Sequence, residues 1–308
     1  MFNILKHNRP KIGISSIRTY ISNIRNIAKN SGMTLNSPSD VCDNKTKLLE
    51  YLKQFEPKLR KTKLSSLIVF IDDPDTRESD NTIKHTLDMF RKQLKNDMTH
   101  YNSEVEQQKM TQKQRDNWID WDDVLKQYHE LETKIAPHFK KNARTNLTKP
   151  EFKLCQLYVL LSCYILIPPR RSTDYTEMKL RNYDTDKSNY FYERHGIGYF
   201  VFNIYKTAKK YGREELALPN ELKNIIKRWK LINVADYLLI NSHKDNKITP
   251  TQLTSLLYDF FNKQVSVSML RHIYLTNKYK NIDLVEMKND AEAMGHSVQQ
   301  QMEYVKKS

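Results

Sequence analysis

The sequence predicts a mainly helical protein with one small antiparallel β-sheet. Apolar residues recur at three- and four-residue steps along much of the chain, as at Ile17, Ile21, Ile24 and Ala28, and this period is typical of amphipathic helices. Residues 189–218 break the pattern because they are dense in aromatic and β-branched residues, which favours short strands joined by turns. With 308 residues, the chain is long enough for two domains, each with its own core.

The first half of the chain is predicted to be a helical bundle. Its first amphipathic stripe ends near Asn30, Ser31 and Gly32, and a glycine at such a place commonly ends a helix. Helical periodicity returns in three further segments, with polar loops such as DDPDTRESD between them. These segments are NKTKLLEYLKQF, NTIKHTLDMFRKQLKNDMTHYN and WDDVLKQYHELETKI.

A linker is predicted between the two halves. Residues 135–148, IAPHFKKNARTNLT, combine a proline and four basic residues with little periodicity, which is typical of a connecting segment. We therefore place the domain boundary after residue 140, which gives domains of residues 1–140 and 141–308. Thr148 and Glu151 have the spacing of a capping box, and the leucines that follow predict a buried helix that runs until IPPRR.

The second domain is predicted to be mainly helical around the small sheet. Three antiparallel strands are expected near residues 189–193, 199–206 and 214–218. After Pro219 the helical period returns in NELKNIIKRWKLI, TPTQLTSLLYDFFNKQ and SMLRHIYLTNKY.

Composition and charge indicate a polyanionic partner. Lysine and arginine outnumber aspartate and glutamate 51 to 36, giving a formal net charge of +15, and such an excess favours nucleic acid. Cys42, Cys155 and Cys163 show no C-x-x-C spacing, so neither a disulfide framework nor a zinc site is expected. No segment approaches about 20 uninterrupted apolar residues, so we expect a soluble intracellular protein in a reducing compartment, without membrane association.

Several charged residues of the second domain are placed where they could carry chemistry. Arg171 precedes Asp174 by three residues, so the carboxylate could orient the guanidinium on one helical face, although a surface ion pair has the same spacing. Arg271 lies within an otherwise apolar helical segment, and a buried arginine requires an anionic partner. Lys206 stands at the edge of a predicted strand entering a turn, from which an ammonium can reach a phosphate.

The end of the chain adds a histidine and a tyrosine. His296 follows Gly295 at a predicted helix start, and Tyr304 comes eight residues later, about two helical turns along. A phenol has a pKa of about 10, so its use as a nucleophile requires cationic groups around the reacting centre.

Taken in order, these residues resemble the catalytic domain of the tyrosine recombinase, or phage-type integrase, family over roughly residues 148–308. The resemblance implies that Arg171 and Arg271 bind the scissile phosphate of DNA. It also implies that Lys206 protonates the leaving 5′-hydroxyl, with Lys209 and Lys210 as fallback candidates.

The remaining roles follow from the same resemblance. His296 would hydrogen-bond the phosphate, Tyr304 would be the nucleophile, and Asp174 would support the first arginine. The product of cleavage would be a 3′-phosphotyrosyl link that needs neither a cofactor nor a metal to be rejoined. The segments PPRR and MGHS look most like integrases of viruses and mobile elements, which would act in a host nucleus or cytoplasm.

The resemblance also implies partners. The substrate would be double-stranded DNA rather than a small molecule, and the first domain, residues 1–140, would clamp it from the opposite side. Assembly as a tetramer on DNA is expected. Since Val305 to Ser308 alone follow the tyrosine, we expect either weak coupling between protomers or oligomers that form only on DNA.

Two departures from the family pattern affect the expected mechanism. The family usually has histidine three residues before its second arginine, where this chain has Ser268, and serine is a poor general base. Removal of the tyrosine proton therefore falls to His296, His272 or water, and His272 is expected to have mainly a packing role. The interval from His296 to Tyr304 is also one residue shorter than usual.

Two other functions fit the same residues. A type IB topoisomerase uses this chemistry to relax supercoils as a monomer. A catalytically weakened descendant that only binds DNA is the second alternative, and Ser268 is the residue that suggests it.

Overall fold

The computed structural model describes residues 1–106, 110–140, 143, 145–243, 246–279, 284–295, 297, 298, 300 and 304. Residues 100–106, 284 and 285 are described by their backbone only. The chain forms two compact units, Met1–Gln107 and Gln108–Ser308. This division comes earlier in the chain than the boundary predicted after residue 140.

The first unit is helical, as its periodicity predicted. Helix α2 buries Ile17, Ile24 and Ile27 along one stripe and ends at Gly32, whose φ of 70° is in the left-handed region that favours glycine. The helices of this unit are α1 (Phe2–Asn8), α2 (Ile14–Ser31), α3 (Pro38–Asp43), α4 (Lys45–Leu52), α5 (Pro57–Ile71) and α6 (Asn81–Glu106).

The second unit begins with α7 (Gln112–Asn117) and α8 (Trp121–Phe139) and continues with α9 (Lys149–Ile165). The predicted capping box is present at the start of α9, where Thr148 and Glu151 bond to each other's backbone N–H groups. The later helices are α10 (Ser172–Thr176), α11 (Ala208–Tyr211), α12 (Asn220–Ile232), α13 (Pro250–Phe261), α14 (Val267–Lys278) and α15 (Leu284–Ala293).

Helix α8 belongs to the second unit because it packs on α9. The rings of Tyr128 and Tyr158 are stacked with centroids 5.3 Å apart. The hydroxyl of Tyr128 lies 3.0 Å from Oγ of Ser162, and the hydroxyl of Tyr158 donates to Glu132 at 2.8 Å. These contacts join α8 and α9 in one unit, so the division between the units comes before α8, although residues 135–148 have the composition of a linker.

The sheet has four strands in the order β1 (Met178–Lys179), β2 (Asn189–Arg194), β3 (Ile197–Phe202) and β4 (Glu214–Ala217). Strands β2, β3 and β4 pair antiparallel as predicted, but β1 pairs parallel with β2, so the sheet is mixed. Since β3 ends at Phe202, Lys206 lies in the connection to β4 rather than on the strand.

One hydrophobic core joins the sheet to the helices of the second unit. Phe191, Phe200 and Phe202 point inward from β2 and β3, and Trp229 of α12 is fully buried. This packing confirms a mainly helical fold with a small sheet. Among the helices of the described residues, none is both long enough and apolar enough to cross a lipid bilayer.

Candidate active site

Arg271 and Tyr304 lie side by side. Arg271 is on α14, is only 2% exposed, and donates from Nη1 to the hydroxyl of Tyr304 at 3.0 Å. Its Cζ also lies 4.4 Å from the centroid of the Tyr304 ring. Nε and Nη2 of the same guanidinium are buried and have no hydrogen-bond partner among the described residues. The site therefore places a phenol oxygen beside a cation with two further N–H donor groups that have no partner among the described residues.

Burial lowers the pKa of Arg271 to about 10, against the attraction of Tyr304, while repulsion from Arg171 lowers it further. The guanidinium is still charged at neutral pH, but the charge has lost much of its hydration. A cation in this state gains strongly from an anion that brings hydrogen-bond acceptors with it.

Arg171 supplies the second cation. It is the residue that precedes α10, and its Nη1 donates to the backbone carbonyl of Gly295 at 3.5 Å. Its Nη2 is buried and, like the two nitrogens of Arg271, has no hydrogen-bond partner within the described part of the chain. Two guanidiniums that repel each other and have donors without partners could bind an anion at this place.

The carboxylate of Asp174 pairs with Arg170, so the predicted pair between Arg171 and Asp174 is wrong. Nε of Arg170 lies 2.9 Å from Asp174 Oδ2, and both side chains are 1% exposed. The backbone at Arg171 is extended, with ψ at 156°, and neighbouring side chains on extended backbone point to opposite sides. Arg170 therefore takes the interior position that the sequence pattern gave to Arg171.

Arg170 holds three segments together. Besides Asp174, its Nη1 donates to Glu214 on β4 and to the carbonyl of Ala293 at the end of α15, each at 2.6 Å. Its Cζ lies 3.9 Å from the centroid of Phe202. The neighbouring carboxylates raise the pKa of Arg170 although burial opposes them. Unlike Arg271, this arginine is held by carboxylates of the protein itself.

Gly295, the residue before His296, packs against Arg170 and bonds to the loop after β3. Its φ is +65°, and a Cβ at this position would lie 2.9 Å from Nη2 of Arg170. The carbonyl of Gly295 also accepts a hydrogen bond from Oγ1 of Thr207 at 2.8 Å. Positive φ and close approach together require glycine here. His296 itself lies outside the described residues.

Lys206 is exposed in the loop after β3, and its two neighbours are anchored. The hydroxyl of Tyr205 donates to the carbonyl of Gly212 at 2.7 Å, and the Tyr205 ring lies 5.1 Å from Cζ of Arg170. Thr207 is held by its bond to Gly295. The fallback candidates Lys209 and Lys210 are also exposed, on α11.

Ser268 and His272 are both on α14. Ser268 is exposed in the first turn, three residues before Arg271. Nδ1 of His272 lies 2.8 Å from the backbone oxygen of Tyr304, and the two rings are 4.8 Å apart. His272 therefore contacts the tyrosine through its backbone and ring, which is consistent with the predicted packing role.

Tyr304 rests on a small apolar cluster between α14 and α15. The buried members of this cluster are Leu275, Tyr279, Met287 and Met294. The hydroxyl of Tyr279 donates to Asp290 at 2.6 Å and so ties the two helices together.

Buried polar atoms without hydrogen-bond partners concentrate at this site. Among the described residues, six of the eight such atoms belong to it: Tyr164 OH, Arg170 Nη2, Arg171 Nη2, Asp174 Oδ1, Arg271 Nε and Arg271 Nη2. Such atoms are costly in a folded protein, and their concentration around three arginines is what a site for a polar ligand would show. Sequence reasoning missed Arg170 and Tyr164. Only the pair of adjacent arginines in PPRR could have indicated Arg170.

A separate group in the first unit could hold a cation. Nε2 of His7 lies 3.1 Å from Asp75 Oδ2 and 3.3 Å from Asp73 Oδ1, and the three ligand atoms lie within 4.8 Å of one another. His7 and Asp75 are exposed, so an ion pair with a protonated imidazole satisfies the same groups.

Comparison with known proteins gives limited help. No family model and no curated protein matches the sequence. Among solved structures, a crystal structure of XerA recombinase is similar with a TM-score of 0.42 and 12% sequence identity, over 100% of this chain and 95% of that chain. Both measures are low, so the functional argument depends on the geometry of the side chains.

Proposed function

We propose that this protein cleaves and rejoins DNA strands as a tyrosine-type site-specific recombinase, with Tyr304 as the nucleophile. The observation that carries the proposal is the hydrogen bond from Arg271 to Tyr304, made by a buried guanidinium whose Nε and Nη2 have no hydrogen-bond partner among the described residues. An anion bound to those donors would place its phosphorus beside the phenol oxygen.

The chemistry follows from the charges. A phosphodiester repels nucleophiles, and its transition state concentrates charge on the nonbridging oxygens, which Arg171 and Arg271 would neutralise. The oxygen of Tyr304 attacks phosphorus and forms a 3′-phosphotyrosyl bond while the bond to the 5′-oxygen breaks. Lys206 gives its proton to that oxygen, and the phenol proton leaves to water, His272 or His296.

Religation reverses these steps without a further energy source. The phosphotyrosyl bond conserves the energy of the bond that was cleaved, so a 5′-hydroxyl of the same or another strand can displace Tyr304. The cations needed for this reaction are side chains of the protein. The proposed site therefore includes no cofactor or metal.

Double-stranded DNA is the proposed partner of the whole chain. The formal charge of +15 supports salt-sensitive binding to a polyanion. We infer that the helical first unit clamps DNA and that four protomers assemble on it, since strand exchange between two duplexes requires four cleavages.

The proposal is tested by trapping the covalent intermediate. The protein is incubated with duplexes that carry a randomised centre and a nick, so that the short strand released by cleavage diffuses away and religation is blocked. Denaturing electrophoresis detects the adduct, and sequencing of the bound strand gives the preferred site. Mass spectrometry should find the nucleotide on Tyr304, whereas an adduct on another residue, or none at all, overturns the proposal.

The products then distinguish the alternatives. Plasmids that carry two copies of the trapped site should give recombinants, while relaxation of supercoils without recombinants would identify a type IB topoisomerase. The exposed Ser268, at the place of a usual histidine, keeps the DNA-binding descendant as the second candidate. Binding to DNA without any adduct would establish that candidate.

A further inference from the structure

A buried amide connects the loop of Lys206 to the helix that follows Arg171. Asn189 opens β2 and is fully buried. Its Nδ2 donates to the carbonyls of Asp174 at 3.0 Å and Ile204 at 2.8 Å. Its Oδ1 accepts from the backbone N–H groups of Asn203 at 2.8 Å and Ile204 at 2.7 Å.

These four hydrogen bonds use both donors and both acceptor positions of the amide. Three of them go to residues 203 and 204, just before Lys206, and the fourth goes to the backbone of α10. An aspartate would lose both donated bonds, and an apolar residue would leave the backbone groups of the loop without these partners in a partly buried place. Asparagine is therefore suited to set the distance between this loop and α10.

The other side of Lys206 is fixed independently. Thr207 donates to the carbonyl of Gly295 at 2.8 Å, and the same carbonyl accepts from Arg171 at 3.5 Å. The loop is thus bonded on both sides of Lys206. Before it, Asn189 connects the loop to α10, and after it, Thr207 connects the loop to Gly295. A long exposed lysine side chain has many rotamers, so only a fixed backbone can keep its ammonium near one point.

We propose that Asn189 and Thr207 are positioning residues that hold Lys206 in place to protonate the leaving 5′-oxygen. This inference rests on the proposed function, because it concerns the proton donor of that reaction. Neither residue touches the reacting atoms. Their effect is confined to the step in which the 5′-oxygen takes up a proton.

The test uses two substrates that differ in the leaving atom. The first is the trapped duplex, and the second has sulfur in place of the bridging 5′-oxygen at the scissile phosphate. A thiol has a pKa of about 8.5, so the sulfur leaves as a thiolate and needs no proton donor. Lys206→Ala is the reference, with an expected loss of about 100-fold or more on the oxygen substrate and recovery on the sulfur substrate.

Asn189→Asp and Thr207→Val should show the same pattern as the reference. Both should cleave the oxygen substrate at least about 10-fold more slowly than wild type, which is part of the usual contribution of a general acid, and both should recover on sulfur. Equal losses on the two substrates would overturn the inference, as would oxygen-substrate rates at the wild-type level. Thr207→Val keeps the test valid if Asn189→Asp fails to fold.

Asn233→Asp is the matched control. Asn233 is a buried asparagine of the same unit, 1% exposed, with Nδ2 donating to the carbonyl of Tyr237 at 2.8 Å and Oδ1 accepting from Ala235 at 3.1 Å. Asn233→Asp should lower the melting temperature about as much as Asn189→Asp does. It should not slow cleavage of the oxygen substrate more than cleavage of the sulfur substrate. If the wild-type protein cleaves neither substrate, the proposed function fails. If the cleavage rate of Lys206→Ala recovers on the sulfur substrate but the rates of Asn189→Asp and Thr207→Val do not, only the positioning role fails.

Discussion

Nη1 of Arg271 donates to the hydroxyl of Tyr304 at 3.0 Å, and the guanidinium is buried while Tyr304 is half-buried. The contact places the positive charge of the guanidinium beside the phenol oxygen that would attack phosphorus in the proposed reaction. Nε and Nη2 of Arg271 have no hydrogen-bond partner in the part of the chain that the structure describes, so both could donate to the phosphate that the proposed reaction requires. In the proposed reaction, one side chain would thus contact both the nucleophile and the group that it attacks.

Tyr304→Phe should abolish the covalent adduct and leave DNA binding nearly unchanged. Only one oxygen is removed, and the ring retains its contacts with Arg271 and with the apolar cluster. Adduct formation is measured by denaturing electrophoresis and affinity by fluorescence anisotropy on the same duplex. A variant that still forms the adduct would place the nucleophile elsewhere.

Arg271 and Arg170, which are both buried, should respond oppositely to replacement by methionine. Burial lowers the pKa of Arg271 to about 10 in the folded protein, which corresponds to a penalty on the order of 3 kcal/mol for holding the charge. Since the folded pKa is the lower one, the penalty is present in full below about pH 10 and disappears as the pH rises from there towards the pKa of the unfolded chain. At pH 7, Arg271→Met should therefore retain or raise the free energy of unfolding, while cleavage falls by about 100-fold or more.

Arg170→Met is the matched comparison, because this arginine is equally buried but is paired with Asp174 and Glu214. Its removal leaves a carboxylate buried without its cation, which typically costs about 3–5 kcal/mol. Urea unfolding of both variants measures the difference. A large loss of stability in Arg271→Met would mean that its guanidinium has a structural partner in the native protein.

Gly295→Ala should impair cleavage, whereas Gly196→Ala should not. Both glycines have positive φ, +65° and +78°, so alanine is strained at either position. Only at Gly295 would the new Cβ meet Nη2 of Arg170, at 2.9 Å, while nothing lies within 4 Å at Gly196. Both variants should lose about 1 kcal/mol of stability from strain, measured by urea unfolding. Equal adduct rates in the two would show that the approach to Arg170 is unimportant.

Much of the fold could be predicted because local periodicity determines it. Amphipathic stripes predicted α2, α9, α12, α13 and α14, and the capping box at Thr148 indicated the start of α9. Helix α5 was missed because its second half is buried on several sides, with Leu64, Leu67, Phe70 and Ile71 fully buried. A helix without a polar face has no stripe to detect.

The site was predicted less well where tertiary contacts determine which side chains pair. The family resemblance implied that Arg271 and Tyr304 act at one phosphate, and the structure has the two side chains in contact. Sequence spacing could not tell which of the adjacent Arg170 and Arg171 reaches Asp174, because the choice depends on the extended backbone before α10. Asn189 gave no signal at all, since its partners are backbone groups 15 residues away on either side.

The three cysteines should be unreactive until the protein unfolds. Cys42, Cys155 and Cys163 are buried, and burial raises the pKa of each thiol, to about 12 for Cys155. Thiolates are the reactive form, so a disulfide reagent at pH 8 should modify none of them in the native protein and all three in urea. Fast modification of a native thiol would show that its part of the core opens readily.

Inorganic phosphate should stabilise the protein by binding between Arg171 and Arg271. A ligand that binds only the folded state at 100 times its Kd adds about 2.7 kcal/mol of stability, so the melting temperature should rise with phosphate concentration at constant ionic strength. Arg171→Ala should reduce this rise, and Arg271→Met should abolish it. Arg213→Ala is the control, because Arg213 is half-exposed and pairs with Glu215, and it should respond like wild type. An equal rise in all four proteins would mean that phosphate acts through the general surface charge, and the anion site would then have to be abandoned.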